Sequence, residues 1–465
     1  MFDAVESNSP VSLSRFFRRG DLIFIFMLAM ILRLILFAAS NNQAGNQQVF
    51  NNSPDSIEYM NMARSIAQGD DDHEFSFMVF GPGYAYYLAF TNLFFGGRLG
   101  PTIMLNIIVS SLSCLLIYLF AMMLLRSYGI AIVAALLAAL SYDSITLSCY
   151  VLSDTIYFAI FLSGLLLYLK ALDSGAWRYY ILAGITTGLA ILMRSIGQFW
   201  PVMMIVIAFA YAYAPRKDFF TARFGRKRLA GKVAVTLAIT AAIVSIWLVR
   251  NYNVHGVPTL AFTSAGGPAN IATQTIARLE KRPYEEVKER VLQLEAQWVE
   301  EFLATTGDSV ISLGDRFRVF SYQARQIIDT LKWEAFKTYL MLTWENVNEI
   351  NYLHRHLLPK YKRWMIGAEY VIKDHWLNYL NFVLSVIGLG ILLWQRRFRI
   401  AVVLGSVYFY YVAMVGFTRW QGSRLFFPAQ IAFAVLIAVT LVWVYRMFGH
   451  LREAIRDRAI SRQQN

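Results

Sequence analysis

Four long apolar runs constrain this chain more than anything else in it: LIFIFMLAMILRLILFAAS at 22–40, TIMLNIIVSSLSCLLIYLFAMMLL at 102–125, FVLSVIGLGILLW at 382–394 and IAFAVLIAVTLVWVY at 431–445. A helix needs about 20 apolar residues to cross a bilayer, and with their flanks all four approach or exceed that length. Hydrophobic residues make up 57% of the 465 and charged residues only 16%. They gather in runs rather than amphipathic stripes, so a soluble domain has no way to cover them. The sequence therefore predicts an all-α polytopic membrane protein.

Spans are expected near 21–40, 99–125, 129–146, 154–171, 179–194, 199–214, 232–250, 376–395, 400–417 and 425–445, about ten in all. The formal charge of +13 does not mark a nucleic-acid surface, because Lys and Arg sit in short blocks between the apolar runs. These blocks are Arg15, Arg18 and Arg19, the segment RKDFFTARFGRKRLAGK at 216–232, Arg396, Arg397 and Arg399, and the tail from Arg446 to Arg462. With about ten spans every block falls on the cytoplasmic side, as the positive-inside bias requires. GPGYAYYLAFTNLFFGG at 81–97 is apolar but short, and counting it as a span would reverse the later topology, so it is expected to be interfacial or re-entrant. The first apolar run lacks a small-residue cleavage site and reads as a retained helix.

Residues 41–98 and 251–375 then lie outside the cytoplasm. The second contains YEEVKERVLQLEAQWVEEFL, whose apolar residues recur at helical spacing, so a small, mainly helical extracytoplasmic subdomain is expected. The division is a transmembrane module at 1–250 with the loop 41–98, the subdomain at 251–375, and C-terminal membrane helices with a basic tail at 376–465. The two cysteines, Cys114 and Cys149, lie in or near apolar runs and support neither a disulfide framework nor a cysteine metal site.

Chemistry-bearing residues gather on the outer face. Asp55 opens a short helix in SPDSIEYMNMARSIAQGD, and Asp143 and Asp154 occupy the next external turn, SYDSITLSCYVLSDTIYF. Helix capping explains such placements locally. Two carboxylates facing one cavity can also divide a glycosyl transfer, one taking the acceptor proton while the other orients it or steadies charge on the sugar. Arg194, Arg250, Arg419 and Arg424 stand at membrane ends on that same face, against the charge bias. Snorkelling accounts for any single one, but several together suit a phosphate. His354 and His356 are two apart and flanked by Lys and Arg, which suggests an interfacial anchor rather than a metal site. Tyr59, Tyr84 and Trp420 suit either an aromatic belt or stacking on a sugar.

These motifs, taken in order, resemble the GT-C superfamily, in particular the dolichyl-phosphate-mannose protein mannosyltransferase-like branch that includes aminoarabinose transferases. The series is Asp55 with Tyr59 as D-x-x-x-Y, Pro82–Gly83–Tyr84, Asp154, AGITTGLAILMRSIGQFWP, WLVRNYNVHGVPTLAFTSAGGPANIA and SRLFFPAQ. The resemblance implies a GT-C-like helix bundle and an inverting transferase that moves a monosaccharide from a polyprenyl-phosphate donor to a hydroxyl of a lipid, glycan or protein. It implies a multi-pass inner or plasma membrane protein whose site faces the periplasm or exterior. Asp55 becomes the general base or acceptor-positioning carboxylate and Asp154 its partner. Arg194, Arg250, Arg419, Arg424, Asn251 and His255 become candidates for donor phosphate or substrate contact, with Tyr59 and Tyr84 beside them. Arginine alone neutralises a single phosphate, so no cofactor is expected, although relatives with larger donors use a divalent ion with an acidic pair such as Asp55 and Asp154 offer.

Aminoarabinose transferases carry an acidic residue directly after the first-loop aspartate, an arginine soon after it, and a lysine before the following proline. Here those places hold Ser56, Glu58 and Gly81, which points to a different sugar or acceptor. Two other classes compete. A transporter or flippase of lipid-linked sugars needs ionisable groups near the bilayer midplane, where Arg33 is the obvious one. A non-catalytic scaffold needs no cluster of aspartates and arginines.

Overall fold

The computed structural model describes residues 19–44, 53–69, 74–213, 226–261, 263–307, 311–348, 376–417 and 423–463, and the regular structure among them is helical. Helix α1 (Arg19–Ala44) enters the bundle, and the first loop then folds into α2 (Pro54–Gln68), α3 (Glu74–Val79) and α4 (Pro82–Phe95). The bundle continues with α5 (Leu99–Leu125), α6 (Tyr128–Ala139), α7 (Tyr142–Ser148), α8 (Asp154–Ser174), α9 (Trp177–Met193), α10 (Trp200–Tyr213) and α11 (Arg226–His255). Four helices follow among the described residues, α12 (Thr263–Leu279), α13 (Tyr284–Thr306), α14 (Leu313–Thr330) and α15 (Lys332–Asn348). The chain closes with α16 (Trp376–Trp394), α17 (Phe398–Val415), the short α18 (Ser423–Phe426) and α19 (Gln430–Gln463).

Seven segments among the described residues are long and apolar enough to cross a membrane, and the bent pair α6–α7 makes an eighth. The other two predicted spans correspond to shorter helices, α9 with 17 residues and the apolar stretch Asn378–Trp394 of α16. The sorting of side chains along α1 shows why these helices need lipid. Ile23, Met27, Ile31 and Ile35, four residues apart, are exposed, while Ile25, Ala29, Arg33 and Leu36 are buried.

One predicted span differs in detail. The run at 129–146 breaks after Ala139, and the two halves meet at 50°. Ser141 restarts the helix by accepting from Ser144 N. Such a break exposes backbone carbonyls that need donors, and Arg33 supplies one by donating to Ala139 O at 3.4 Å. Its remaining donors reach Ser110 Oγ at 2.9 Å, Ser144 Oγ at 2.6 Å and Ala29 O at 2.8 Å. Arg33 is thus a bracket between α1, α5 and the broken helix.

Close approach elsewhere relies on small residues. A Cβ on Gly184 of α9 would lie 2.7 Å from Thr236 O of α11, and Thr240 Oγ1 donates to Gly184 O at 3.1 Å. Small residues and hydroxyls of this kind hold helices together where lipid supplies no hydrophobic drive. Helix α4 has 14 residues, about 21 Å at 1.5 Å per residue, too little to cross a bilayer. Its Tyr84, Ala85 and Leu88 are buried while Tyr86, Phe90, Leu93 and Phe94 are exposed, as suits a segment lying at an apolar boundary.

Candidate active site

The ends of four distant segments meet at one end of the bundle. Pro54 starts α2 with Ser53 at its N-cap, which places Asp55 in the first turn. Ser153 occupies the N-cap of α8, so Asp154 is the first residue inside that helix rather than its cap. α9 stops at Met193, and Arg194 takes an extended conformation (φ −155°, ψ 119°) before the 3-10 turn Ser195–Gly197, so the chain break directs its side chain inward. Arg424 rides on α18, just before the turn Phe427–Ala429.

Arg424 joins the two aspartates. Its Nη1 donates to Asp55 Oδ2 at 2.7 Å and its Nε to Asp154 Oδ2 at 3.1 Å. Arg194 Nη1 donates to the other oxygen of Asp154, Oδ1. The four formal charges cancel, which is what makes burial of such groups tolerable. The two carboxylates differ sharply in access. Asp154 is fully buried with both oxygens engaged, whereas Asp55 is 29% exposed and bonded through Oδ2 alone. Among the described residues, Oδ1 of Asp55 is therefore left as an open acceptor. Arg194 in turn bonds no described residue through Nε or Nη2, which leaves donors for an anion.

Tyr59 and Tyr84 are buried against one another, ring centroids 4.9 Å apart, with Phe80 at 5.1 Å from Tyr59. They prop α2 against α4 and present no face to a sugar or to a membrane belt. The Tyr59 hydroxyl lies 3.3 Å from Ser153 Oγ beside the Asp154 turn, and burial raises its pKa above the usual phenol value, so it remains neutral.

Arg250, Asn251 and His255 form a second cluster. Arg250 Nη1 donates to Asn251 Oδ1 at 3.0 Å and lies 3.4 Å from His255 Nε2, with its guanidinium 4.8 Å from the Trp247 ring and 5.8 Å from Phe77. Asn251 is buried and donates to Thr259 O at 2.7 Å, so it fixes the turn after α11. Between the clusters, Glu58, one turn beyond Asp55, accepts from Ser76 Oγ at 2.5 Å next to Phe77. Sequence reasoning passed over Ser153 and Ser76, and a lone serine offers no signal by which to find them. Asp143 lies in the first turn of α7. Arg419, Trp420, His354, His356, Arg15, Arg18 and residues 216–225 lie outside the described residues.

The segment at 81–83 acquires a reason here. A Cβ on Gly81 would lie 2.6 Å from Leu192 O and one on Gly83 would lie 2.8 Å from Met193 N. The two glycines let α4 dock on the last turn of α9, immediately before Arg194.

A cavity of about 1010 Å³ opens between α9, α10, α11 and α14, and none of Asp55, Asp154, Arg194 or Arg424 is among its lining residues. Ile191, Phe199, Leu237, Val244 and Leu248 line its apolar part, and Gln198, Arg318 and Arg325 add polar groups. The segment 191–198 that borders it is the one that carries Arg194. Arg318 is held by Asp315 Oδ1 at 3.0 Å and Gly256 O at 2.8 Å, whereas Arg325 has no partner among the described residues.

The family profile described as Dolichyl-phosphate-mannose-protein mannosyltransferase matches residues 80–249. No curated protein sequence matches this one significantly. Among solved structures, the oligosaccharyltransferase AglB of Archaeoglobus fulgidus with an inhibitory peptide and a dolichol-phosphate superposes over 96% of this chain and 52% of its own, with TM-score 0.53 and 15% identity. The same enzyme tethered to an acceptor peptide gives TM-score 0.54 and 16% identity over 95% of this chain and 51% of its own. The chain thus spans about half the length of AglB. ArnT from Cupriavidus metallidurans bound to undecaprenyl phosphate aligns over 91% of this chain and 78% of its own at 12% identity, but a TM-score of 0.36 is too loose to support an argument. The chain thus shares the fold of AglB and, over residues 80–249, resembles the mannosyltransferase family in sequence.

Proposed function

We propose that the chain transfers a monosaccharide from a polyprenyl-phosphate donor to an acceptor hydroxyl, with inversion, at the extracytoplasmic end of its bundle. The observation that carries this reading is Arg424 bridging Asp55 and Asp154 while Arg194 takes the remaining oxygen of Asp154. The acceptor oxygen attacks the anomeric carbon as its bond to the phosphate oxygen breaks. Asp55 Oδ1 takes the acceptor proton, and the leaving prenyl phosphate keeps the bonding pair. Arg194 and Arg424 stabilise the charge that grows on that phosphate, the larger effect where water is excluded. Asp154 is a positioning residue, since both its oxygens hold arginines. Inversion is supported by the single open carboxylate, because a double displacement needs a second one as nucleophile.

A dolichol-phosphate in one AglB structure supports the donor class. The cavity bordered by Ile191 and Gln198 suits an isoprenoid tail, with an apolar lining over most of its surface. Another AglB structure contains Zn and sulfate, which raises the question of a metal here. The donor set does not fit one in this arrangement. Among the described residues no group of three His, Cys, Asp or Glu converges, and Arg424 occupies the position between Asp55 and Asp154 that a divalent ion would need. We therefore include no metal in the reaction. Outward orientation is supported by the basic blocks at the opposite helix ends. The transporter alternative loses its main support in Arg33, whose donors serve carbonyls and hydroxyls of the packed helices.

The test is Asp55→Asn in the purified chain, assayed with polyprenyl-phosphate sugars. Loss of a general base lowers turnover by about 10²–10⁴-fold. Turnover equal to wild type in a folded Asp55→Asn protein removes Asp55 from the reaction.

A further inference from the structure

α15 has one face that packs and one that faces outward. On the packed face, Ala335 and Leu342 are buried, Tyr339 Oη donates to Ala413 O at 2.7 Å and Asn346 Nδ2 to Val415 O at 3.0 Å. Gly416, just beyond α17, comes so near that a Cβ there would collide with Thr343 and Tyr339. α15 also touches α18, the turn that presents Arg424.

The outward face carries Trp333, Phe336, Leu340 and Trp344, steps of three and four residues that align them in one stripe. All are exposed, Trp333 to 64% and Leu340 to 50%. The stripe does not end with the helix. Trp344 meets Tyr379 at 5.8 Å and Phe382 at 6.1 Å on α16, where Val383, Val386 and Ile387 continue the exposed apolar surface. Because α16 is an apolar helix within the bundle, that surface is its lipid side. Lys337 sits 5.6 Å from the Trp333 ring, a cation beside an aromatic as at the level of lipid headgroups.

We propose that α15 lies in the interfacial layer of the bilayer that α16 enters, with Trp333, Phe336, Leu340 and Trp344 against the upper acyl chains, so that the lipid surface sets the height of the helix bracing the Arg424 turn. The occupant of the stripe is phospholipid, because the stripe is continuous with the lipid side of α16. This inference depends on membrane insertion alone and stands or falls separately from the transfer reaction.

The experiment uses the full chain with Leu340→Cys, carrying an environment-sensitive nitrobenzoxadiazole label, in phosphatidylcholine vesicles brominated high on the acyl chain. Cys114 and Cys149 are buried, so the introduced thiol is the one that reacts, with the unsubstituted chain as the labelling blank. A second label at Trp333→Cys reports the other end of the stripe, and one at Glu289→Cys on exposed α13 is the aqueous reference. The expected result is that both stripe labels lose most of their emission to bromolipid and little to aqueous iodide, with the opposite pattern at position 289. Iodide quenching equal to that at 289 overturns the proposal, as does protection from both quenchers, which means protein covers the stripe. If Leu340→Cys does not fold, the Trp333→Cys label decides alone.

Discussion

Asp55 and Asp154 have the same chemistry and opposite situations. Each begins a helix, and from local sequence each reads equally well as a cap. The difference comes from Arg424, 369 residues from Asp55 in the chain. No periodicity reveals such a partner, although Arg194 and Arg424, at helix ends away from the basic blocks, read in the sequence as a cost that needs an anion. What remained illegible was which carboxylate stays open. Lysine at 424 keeps the charge but lacks the fork that reaches both aspartates. Arg424→Lys is expected to lower kcat/KM at least about tenfold, equivalent to about 1.4 kcal/mol of lost transition-state stabilisation, with most of the fold retained. Arg424→Ala leaves buried Asp154 with one partner, and breaking a buried pair costs about 3–5 kcal/mol, so its thermal midpoint in detergent should drop clearly below that of Arg424→Lys. Equal midpoints and equal turnover for the two variants would show that the bridge is not formed. Tyr59 and Tyr84 mark the limit of reading by residue type, since an aromatic near a membrane end suits a belt, a sugar platform or a packed core, and burial assigned both to the core.

Among the elements, hydropathy located the long helices because lipid imposes their length. It did not locate the break after Ala139, where Arg33 reaches across from α1 to the Ala139 carbonyl. Arg33→Met should therefore lower thermal stability while leaving turnover of the folded fraction near wild type. A folded Arg33→Met protein that loses transfer completely would assign Arg33 to the reaction path instead. The Gly81–Pro82–Gly83 segment reads in the sequence as a departure from the transferases that the chain resembles, whereas its glycines are what α4 needs to sit on Leu192 and Met193. Gly83→Val places a branched side chain against that backbone. Overpacking of this kind costs about 1–3 kcal/mol, and the adjacent Arg194 should shift, so both the thermal midpoint and the donor KM should worsen. A Gly83→Val enzyme with unchanged donor KM would separate the α4 contact from Arg194.

For the molecule as a whole, the segments bearing Asp55, Asp154, Arg194 and Arg424 reach the same end of the helix bundle, and the contacts among those residues bring them together. Turnover unaffected by a chelator is expected from the arginine-bridged aspartates, and loss restored by Mg or Mn would replace Arg424 with an ion during the reaction. The most direct measurement is a cryo-electron microscopy map of the chain with polyprenyl phosphate bound. The phosphate is expected within hydrogen-bonding reach of Arg194 and Arg424, with Asp55 beside it and the isoprenoid running into the cavity between α9, α10 and α11. A phosphate seated away from both arginines, with the Asp55–Arg424 pair undisturbed, would contradict the proposed transfer site.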